Sequence, residues 1–259
     1  PPTTPMPNPE SAHFLSRSTD RGATFEVFPV TPHLAENVNS FGGVEMVWSP
    51  EGGADGSLHM VYEASRTPEV SSEADIFYRR STDRGETWAD PVVINDDDAD
   101  QLYYSGLPKI SMAPDGRLDV AWFDTRSDPG VTANDVYYAS SSDNGATWSD
   151  NVRVTERYID RTIGVYATNH DLNAPPGIAS TDAFALVGWD DTGNFDEVTG
   201  GQDILVAAVQ FDPLAPATSN LVKYLLAGVI GLVVVGLLFL ALVLVIRRRS
   251  ATAHPAPAR

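Results

Sequence analysis

Cysteine is absent from the 259 residues, which excludes a disulfide framework, thiolate catalysis and cysteine-ligated zinc or iron–sulfur centres. No Asn-x-Ser/Thr acceptor occurs, so nothing marks a glycosylated ectodomain of eukaryotic type. The five histidines, at 13, 33, 59, 170 and 254, show neither i, i+4 nor His-x-His spacing, and no zinc site is indicated. Gly-x-Ser-x-Gly, the P-loop and the dinucleotide fingerprint are missing too, which disfavours serine hydrolases, NTPases and dehydrogenases. Basic residues are scarce: residues 1–220 hold 12 Lys and Arg against all 35 Asp and Glu, a balance of −23. Such a surface repels phosphate backbones and argues against nucleic acid as a partner, while divalent cations and basic partners remain compatible with it.

Charge is also missing from Leu225 to Ile246, 22 residues that are almost all apolar. As a helix this run is about 33 Å long, enough to cross a bilayer. Arg247, Arg248 and Arg249 follow it directly and a single Lys223 precedes it. The positive-inside rule then predicts a single-pass protein of the cell membrane, with the acidic N-terminal part extracytoplasmic and the tail 247–259 cytoplasmic. That tail is too short for a signalling domain. Ala227 and Gly231 form a small-xxx-small pair through which another membrane subunit's helix can approach. The chain opens Pro1-Pro2-Thr3-Thr4-Pro5, with no initiator Met and no export signal; it reads either as a chain whose signal has been removed or as an incomplete sequence. The remainder, in a chain 42% hydrophobic with nine Tyr and five Trp, is long enough to fold around a sizeable core.

Self-comparison finds a repeat: Ser18-Thr19-Asp20-Arg21-Gly22-Ala23-Thr24-Phe25, Ser81-Thr82-Asp83-Arg84-Gly85-Glu86-Thr87-Trp88 and Ser141-Ser142-Asp143-Asn144-Gly145-Ala146-Thr147-Trp148. The spacings, 63 and 60, suit stacked units of about one four-stranded sheet each. Strand-like segments flank the second and third copies: Asp75–Tyr78 and Asp135–Tyr138 before, Pro91–Ile94 and Asn151–Val154 after. The octapeptide is therefore read as a hairpin turn, its Asp bonding local amides, its Gly taking φ > 0 and its aromatic packing inward, with Trp88 and Trp148 buried. Leu58–Tyr62, Leu118–Trp122 and Ala185–Trp189 align as a further strand, preceded in the first two cases by Asp55-Gly56 and Asp115-Gly116 turns. Each unit thus reads as a propeller blade.

Ser-x-Asp-x-Gly-x-Thr-Trp resembles the Asp-box, or BNR repeat, of sialidase-like β-propellers, and the resemblance covers about residues 13 to 211. It implies an all-β propeller of four-stranded antiparallel blades, about three and a half of them present: 13–30 in part, 41–95, 106–155 and 177–211. These lie in a 13–212 ectodomain, after a loop or truncated blade start (1–12) and before a linker (213–224) and the transmembrane helix. The half blade at the start suggests an N-terminally incomplete chain, with closure of a small four-unit ring as the alternative. In that family the boxes are peripheral, so Asp20, Gly22, Asp83, Gly85, Thr87, Trp88, Asp143, Gly145, Thr147 and Trp148 are assigned structural roles.

Sialidases need three arginines that grip a carboxylate, a Tyr nucleophile with a Glu base, and an Asp acid. The family's Arg-Ile-Pro motif is not present. Arg66 and Arg126 occupy equivalent loop positions, in Glu63-Ala64-Ser65-Arg66 and Phe123-Asp124-Thr125-Arg126, whereas Trp189-Asp190-Asp191-Thr192-Gly193 has no Arg. Arg66, Arg126, Asp124, Tyr103 and Tyr104 are the weak catalytic candidates, and repetition in register favours arginines paired with acids of their own or the next blade. Asp96, Asp98 and Asp100 are candidates for Ca²⁺, although the EF-hand spacing fails at Gln101 and Leu107. The expected function is a non-catalytic binding or scaffold module for a glycan or protein ligand, or an accessory subunit of a membrane complex. An anchored exo-α-sialidase or related glycoside hydrolase is the alternative.

Overall fold

The computed structural model describes residues 13–31, 37–38, 44–50, 56–65, 74–98, 103–128, 132–164, 175–196, 198 and 201–211. Leu225–Ile246 lies outside them; among the described residues no helix is long and apolar enough to cross a membrane.

All regular structure in the described residues is antiparallel sheet, in four groups that follow chain order. Sheet 1 is a hairpin of β1 (Phe14–Arg17) and β2 (Glu26–Pro29). Sheet 2 opens with β3 (Asn37–Val38) and β4 (Val44–Ser49), both paired to β5 (Ser57–Ser65), and continues through β6 (Asp75–Ser81) to β7 (Val92–Val93). Sheet 3 runs β8 (Ser105–Met112), β9 (Leu118–Asp124), β10 (Ala133–Ser141) and β11 (Val152–Arg153), with β12 (Ile159–Asp160) paired to the start of β10. Sheet 4 is β13 (Gly177–Ser180), β14 (Phe184–Asp196) and β15 (Gly201–Gln210). The expectation is four-stranded blades after a half blade at the start, and the described strands match that count only in part. Sheets 2 and 3 carry a four-strand path plus a short fifth strand, and sheets 1 and 4 have two and three strands among the described residues. Gly56 and Gly116 turn the chain into β5 and β9 with φ of +82° and +91°, angles open to glycine at little cost.

Side-chain alternation along each strand builds one apolar layer per pair of neighbouring sheets. Leu118, Val120 and Trp122 of β9 face sheet 2, where Val61, Ile76 and Tyr78 meet them. Ala121 and Phe123, the intervening residues, face sheet 4 and pack with Ala185, Val187 and Trp189. Met60, Tyr62 and Phe77 point the other way from sheet 2, toward Leu15 of sheet 1. A parallel bridge between Ala74 and Tyr104 ties sheet 2 to sheet 3, with Ser105 N donating to Ala74 O at 2.8 Å.

The expected burial of Trp88 and Trp148 is corrected. Both are half-buried, packed against the apolar layers and flanked by exposed residues of their hairpins. Phe25, their counterpart in the first copy, is 50% exposed.

Candidate functional site

Each octapeptide closes on itself through one carboxylate. Asp143 Oδ1 accepts from Thr147 N at 2.9 Å and from Ser141 Oγ at 2.8 Å, its Oδ2 accepts from Thr147 Oγ1 at 2.6 Å, and Ser141 Oγ accepts from Gly145 N at 2.9 Å. Asp83 and Asp20 repeat this network with Thr87 and Ser81, and with Thr24 and Ser18. Arg21, Arg84 and Asn144 sit at φ of 61–62° with Gly22, Gly85 and Gly145 after them at 81–88°. The second left-handed position needs glycine, and at Gly145 a Cβ would also overlap the Tyr78 hydroxyl of sheet 2. Bonds from Thr24 and Ser18 hold the Asp20 carboxyl down at about 2, and those from Thr147 and Ser141 do the same for Asp143. Burial pushes Asp83 up, yet its bonds from Thr87 and Ser81 prevail and its pKa is lowered too. A carboxylate so fully engaged in its own turn is poorly suited to proton transfer.

Chemistry gathers at the opposite strand ends, where β9 runs into Thr125 and Arg126. Asp124, fully buried, accepts from Arg126 Nη2 at 2.8 Å, Ser105 Oγ at 2.9 Å and Trp122 Nε1 at 3.1 Å. Arg126 also reaches Asp96 at 2.7 Å and Asp97 at 3.6 Å and lies 4.1 Å over the Tyr137 ring. Burial pulls against the guanidinium charge, but the bond to Asp124 outweighs it and the Arg126 pKa is raised. The acidic run is therefore split: burial raises Asp97, while Asp96, despite some burial, is lowered by Asn151 N and by Arg126. Asp98 is exposed, and Arg66 and Asp100 lie outside the described residues. Among the described residues no group of three or more His, Asp or Glu stands ready to hold a metal ion.

Tyr103 and Tyr104 are both half-buried at the entry to β8. Tyr104 Oη donates to Glu63 Oε1 at 3.0 Å, and Leu107 N donates to Glu63 Oε2 at 2.8 Å. Glu63 is buried and was not among the sequence candidates, although it opens the segment that ends in Arg66. Sequence reasoning also missed three paired arginines. Arg117 holds Asp119 at 3.0 Å, Arg161 holds Asp190 at 2.9 Å, and Arg157 holds Asp191 at 2.7 Å. Arg157 was findable, because Val154-Thr155-Glu156-Arg157 aligns with Ile94-Asn95-Asp96-Asp97 and carries a reversed charge at the last place.

Two cavities open between sheets. One of about 250 Å³ lies between sheets 1 and 2, walled by Leu15, Met46, Trp48 and Leu58. The larger, about 480 Å³, lies between sheets 3 and 4 beside Arg157, Asp191, Trp189 and Leu205.

No family model and no curated protein matches the sequence. Solved structures do match. An α-L-arabinofuranosidase from Fusarium graminearum, in complex with an iminosugar inhibitor, aligns at 18% identity and a TM-score of 0.51, over 77% of this chain and 55% of that one. A Hadza microbial sialidase aligns at 16% and 0.48, over 77% and 40%. A protein of unknown function from Dyadobacter fermentans aligns at 14% and 0.45, over 79% and 50%. The chain thus spans about half the length of these structures or less. The described residues thus form an all-β, antiparallel fold similar to that of the α-L-arabinofuranosidase and consistent with a β-propeller.

Proposed function

We propose that the chain is a membrane-anchored, extracytoplasmic propeller that binds or scaffolds and does not catalyse, with the octapeptides acting as Asp-boxes that lock its outer hairpins. One observation carries this reading: Arg126, the described candidate for gripping a substrate carboxylate, already has Asp124, Asp96 and Asp97 around its guanidinium and Tyr137 beneath it. A cation neutralised in this way has little left for an anionic sugar. The ligand in this reading is a glycan or a protein, or the partner is another subunit of a membrane assembly. The anchor is the uncharged run Leu225–Ile246, with Arg247–Arg249 behind it. Full-length chain given fluorogenic sialosides and arabinofuranosides is expected to release nothing above the blank. Release that disappears in Arg126→Ala overturns the reading. In right-side-out vesicles, added protease is expected to remove the acidic domain and leave a small fragment holding Arg247–Arg249, and full protection of the domain reverses the topology.

A second reading, an anchored exo-α-sialidase or related glycoside hydrolase, is favoured by the bond from Tyr104 to Glu63. A phenol beside a buried carboxylate is the kind of pair that serves as nucleophile and base. Turnover abolished by Tyr104→Phe supports this reading against the first.

A further inference from the structure

We propose that the cavity between sheets 3 and 4, at the seam where the repeat arginine is replaced by Gly193, is a binding site for a neutral saccharide of monosaccharide size. The proposal rests on the binding-module reading and adds to it a site and a ligand class.

Two seams of the molecule are made from the same parts. At the seam of sheets 2 and 3, Ile94-Asn95-Asp96-Asp97 meets Trp122-Phe123-Asp124-Thr125-Arg126; at the seam of sheets 3 and 4, Val154-Thr155-Glu156-Arg157 meets Trp189-Asp190-Asp191-Thr192-Gly193. The match is geometric as well. Ile94 N donates to Ile76 O and Val154 N to Val136 O, both at 2.8 Å. Trp122 stands opposite Tyr137 across the strands, and Trp189 opposite Leu205.

The first seam is filled by Arg126, which stacks on Tyr137, and Trp122 Nε1 has its acceptor in Asp124. In the second seam Gly193 replaces Arg126 and Leu205 replaces Tyr137, while Arg157 replaces Asp97. The guanidinium therefore arrives from the other side of the seam and lies directly on Gly193, where a Cβ would overlap its Cζ. Beside Arg157 this seam keeps a cavity of about 480 Å³, within the usual range of roughly 300–1,000 Å³ for small-ligand sites.

Its chemistry is unbalanced in an informative way. Trp189 is buried, and its Nε1 has no partner among the described residues, whereas the Nε1 of Trp122 donates to Asp124 Oδ2. A buried donor without an acceptor is costly, so an acceptor brought by a ligand is favoured. Arg157 is half exposed and spends one hydrogen bond, on Asp191, among the described residues. Yet Asp191, Glu156 and Asp203 surround that single cation, so an anionic ligand would enter a net negative field. A sugar hydroxyl meets both demands, accepting from an N–H and donating to a carboxylate. Leu205 and Ala207 supply an apolar wall for the C–H face of the ring.

The indole N–H signals of ¹⁵N-labelled full-length chain, in a detergent without a sugar headgroup, test this. Trp189→Phe and Trp122→Phe identify the two relevant signals. The probes are methyl glycosides of glucose, galactose, mannose, N-acetylglucosamine and arabinose up to about 50 mM, with N-acetylneuraminic acid as the acidic comparator. At least one neutral glycoside is expected to shift the Trp189 signal saturably and leave Trp122 unmoved, with the acidic sugar about tenfold weaker or worse. Arg157→Ala, at a half-exposed position, should weaken binding about tenfold with the fold intact. Arg157→Asp combined with Gly193→Arg rebuilds the first seam's pairing and should abolish the shift. No response from any neutral glycoside, an unchanged affinity in Arg157→Ala, or equal binding of the acidic sugar overturns the proposal. Hydrolysis of a probe would refute the non-catalytic reading and leave the site assignment standing, whereas an inert chain with an unmoved Trp189 signal refutes the site alone.

Discussion

β9 and β14 are the second strands of consecutive sheets, and Leu118–Asp124 aligns in sequence with Ala185–Asp191, yet their fates differ. All seven residues of β9 are buried. In β14 only one face is: Ala185, Val187 and Trp189 are covered, while Phe184 and Leu186 are each 40% exposed. Two neighbouring sheets sandwich β9, so its even and odd residues enter separate apolar layers. For β14 one layer exists among the described residues. The lesson is that a strand's own pattern does not state how many of its faces will be buried. Polar groups follow the same rule, because Asp119 and Asp124 are wholly inside and are paired with the largely buried Arg117 and Arg126, whereas Arg157 at the seam with sheet 4 is half exposed.

The widest gap between the two strands should appear on truncation of their apolar residues. Trp122→Ala removes a fully buried indole and leaves Asp124 one donor short, so a loss of about 3–5 kcal/mol is expected by urea unfolding. Leu186→Ala should cost under about 1 kcal/mol; equal losses would show that β14 is covered in solution. Arg117→Met sharpens the comparison in its polar half. It strands the buried carboxylate of Asp119, leaving Tyr138 as its remaining partner, at a cost of about 3 kcal/mol. Arg157→Met, whose guanidinium is half exposed although its partner Asp191 is buried and keeps the bond from Gly193 N, should cost less than Arg117→Met.

A smaller contrast separates the outer hairpins. Asp143→Ala should cost about 1–2 kcal/mol by releasing Thr147 and Ser141. Asp20→Ala acts on a two-stranded sheet and should change the global transition less, which amide exchange on the two hairpins can read.

The smallest effect is expected from pH at the seam of sheets 2 and 3. His59 is buried between Ser57 Oγ, 2.9 Å from Nε2, and Tyr78 Oη, 2.7 Å from Nδ1. Burial, with the charge of Arg80 adding to it, lowers its pKa from 6.5 to about 4. The unfolded chain therefore binds the proton first. Stability from this group is complete above pH 6.5 and falls as pH drops from 6.5 toward 4, by about 1 kcal/mol at pH 5.5. Unfolding measured at pH 7.5 and 5.5 should show that drop in the parent and a smaller one in His59→Gln. An equal drop in both would remove His59 as its source.

The turns and strands were legible in the sequence because their causes are local. Asp83, Ser81, Gly85 and Thr87 lie within eight residues, and their bonds need no other part of the chain. The repeat of that motif, together with the alternation in Leu118–Trp122, was enough to place hairpins, strands and the all-β class. Arg126 was singled out by its position in the repeat, but its engagement by Asp96 and Asp97 joins residues about thirty apart and depends on how two sheets meet. Glu63 beneath Tyr104, forty-one residues away, was illegible for the same reason.

By itself, then, the sequence determined the sheet-forming segments, the self-closing turns and the acidic character, since each follows from neighbours along the chain or from composition. Tertiary structure alone decided that Trp88 and Trp148 would be half-buried, that β9 would be enclosed and β14 open, and that Arg157 would lie on Gly193. Those outcomes depend on which side chains arrive across a seam between sheets, where packing and charge pairing are settled by residues distant in sequence.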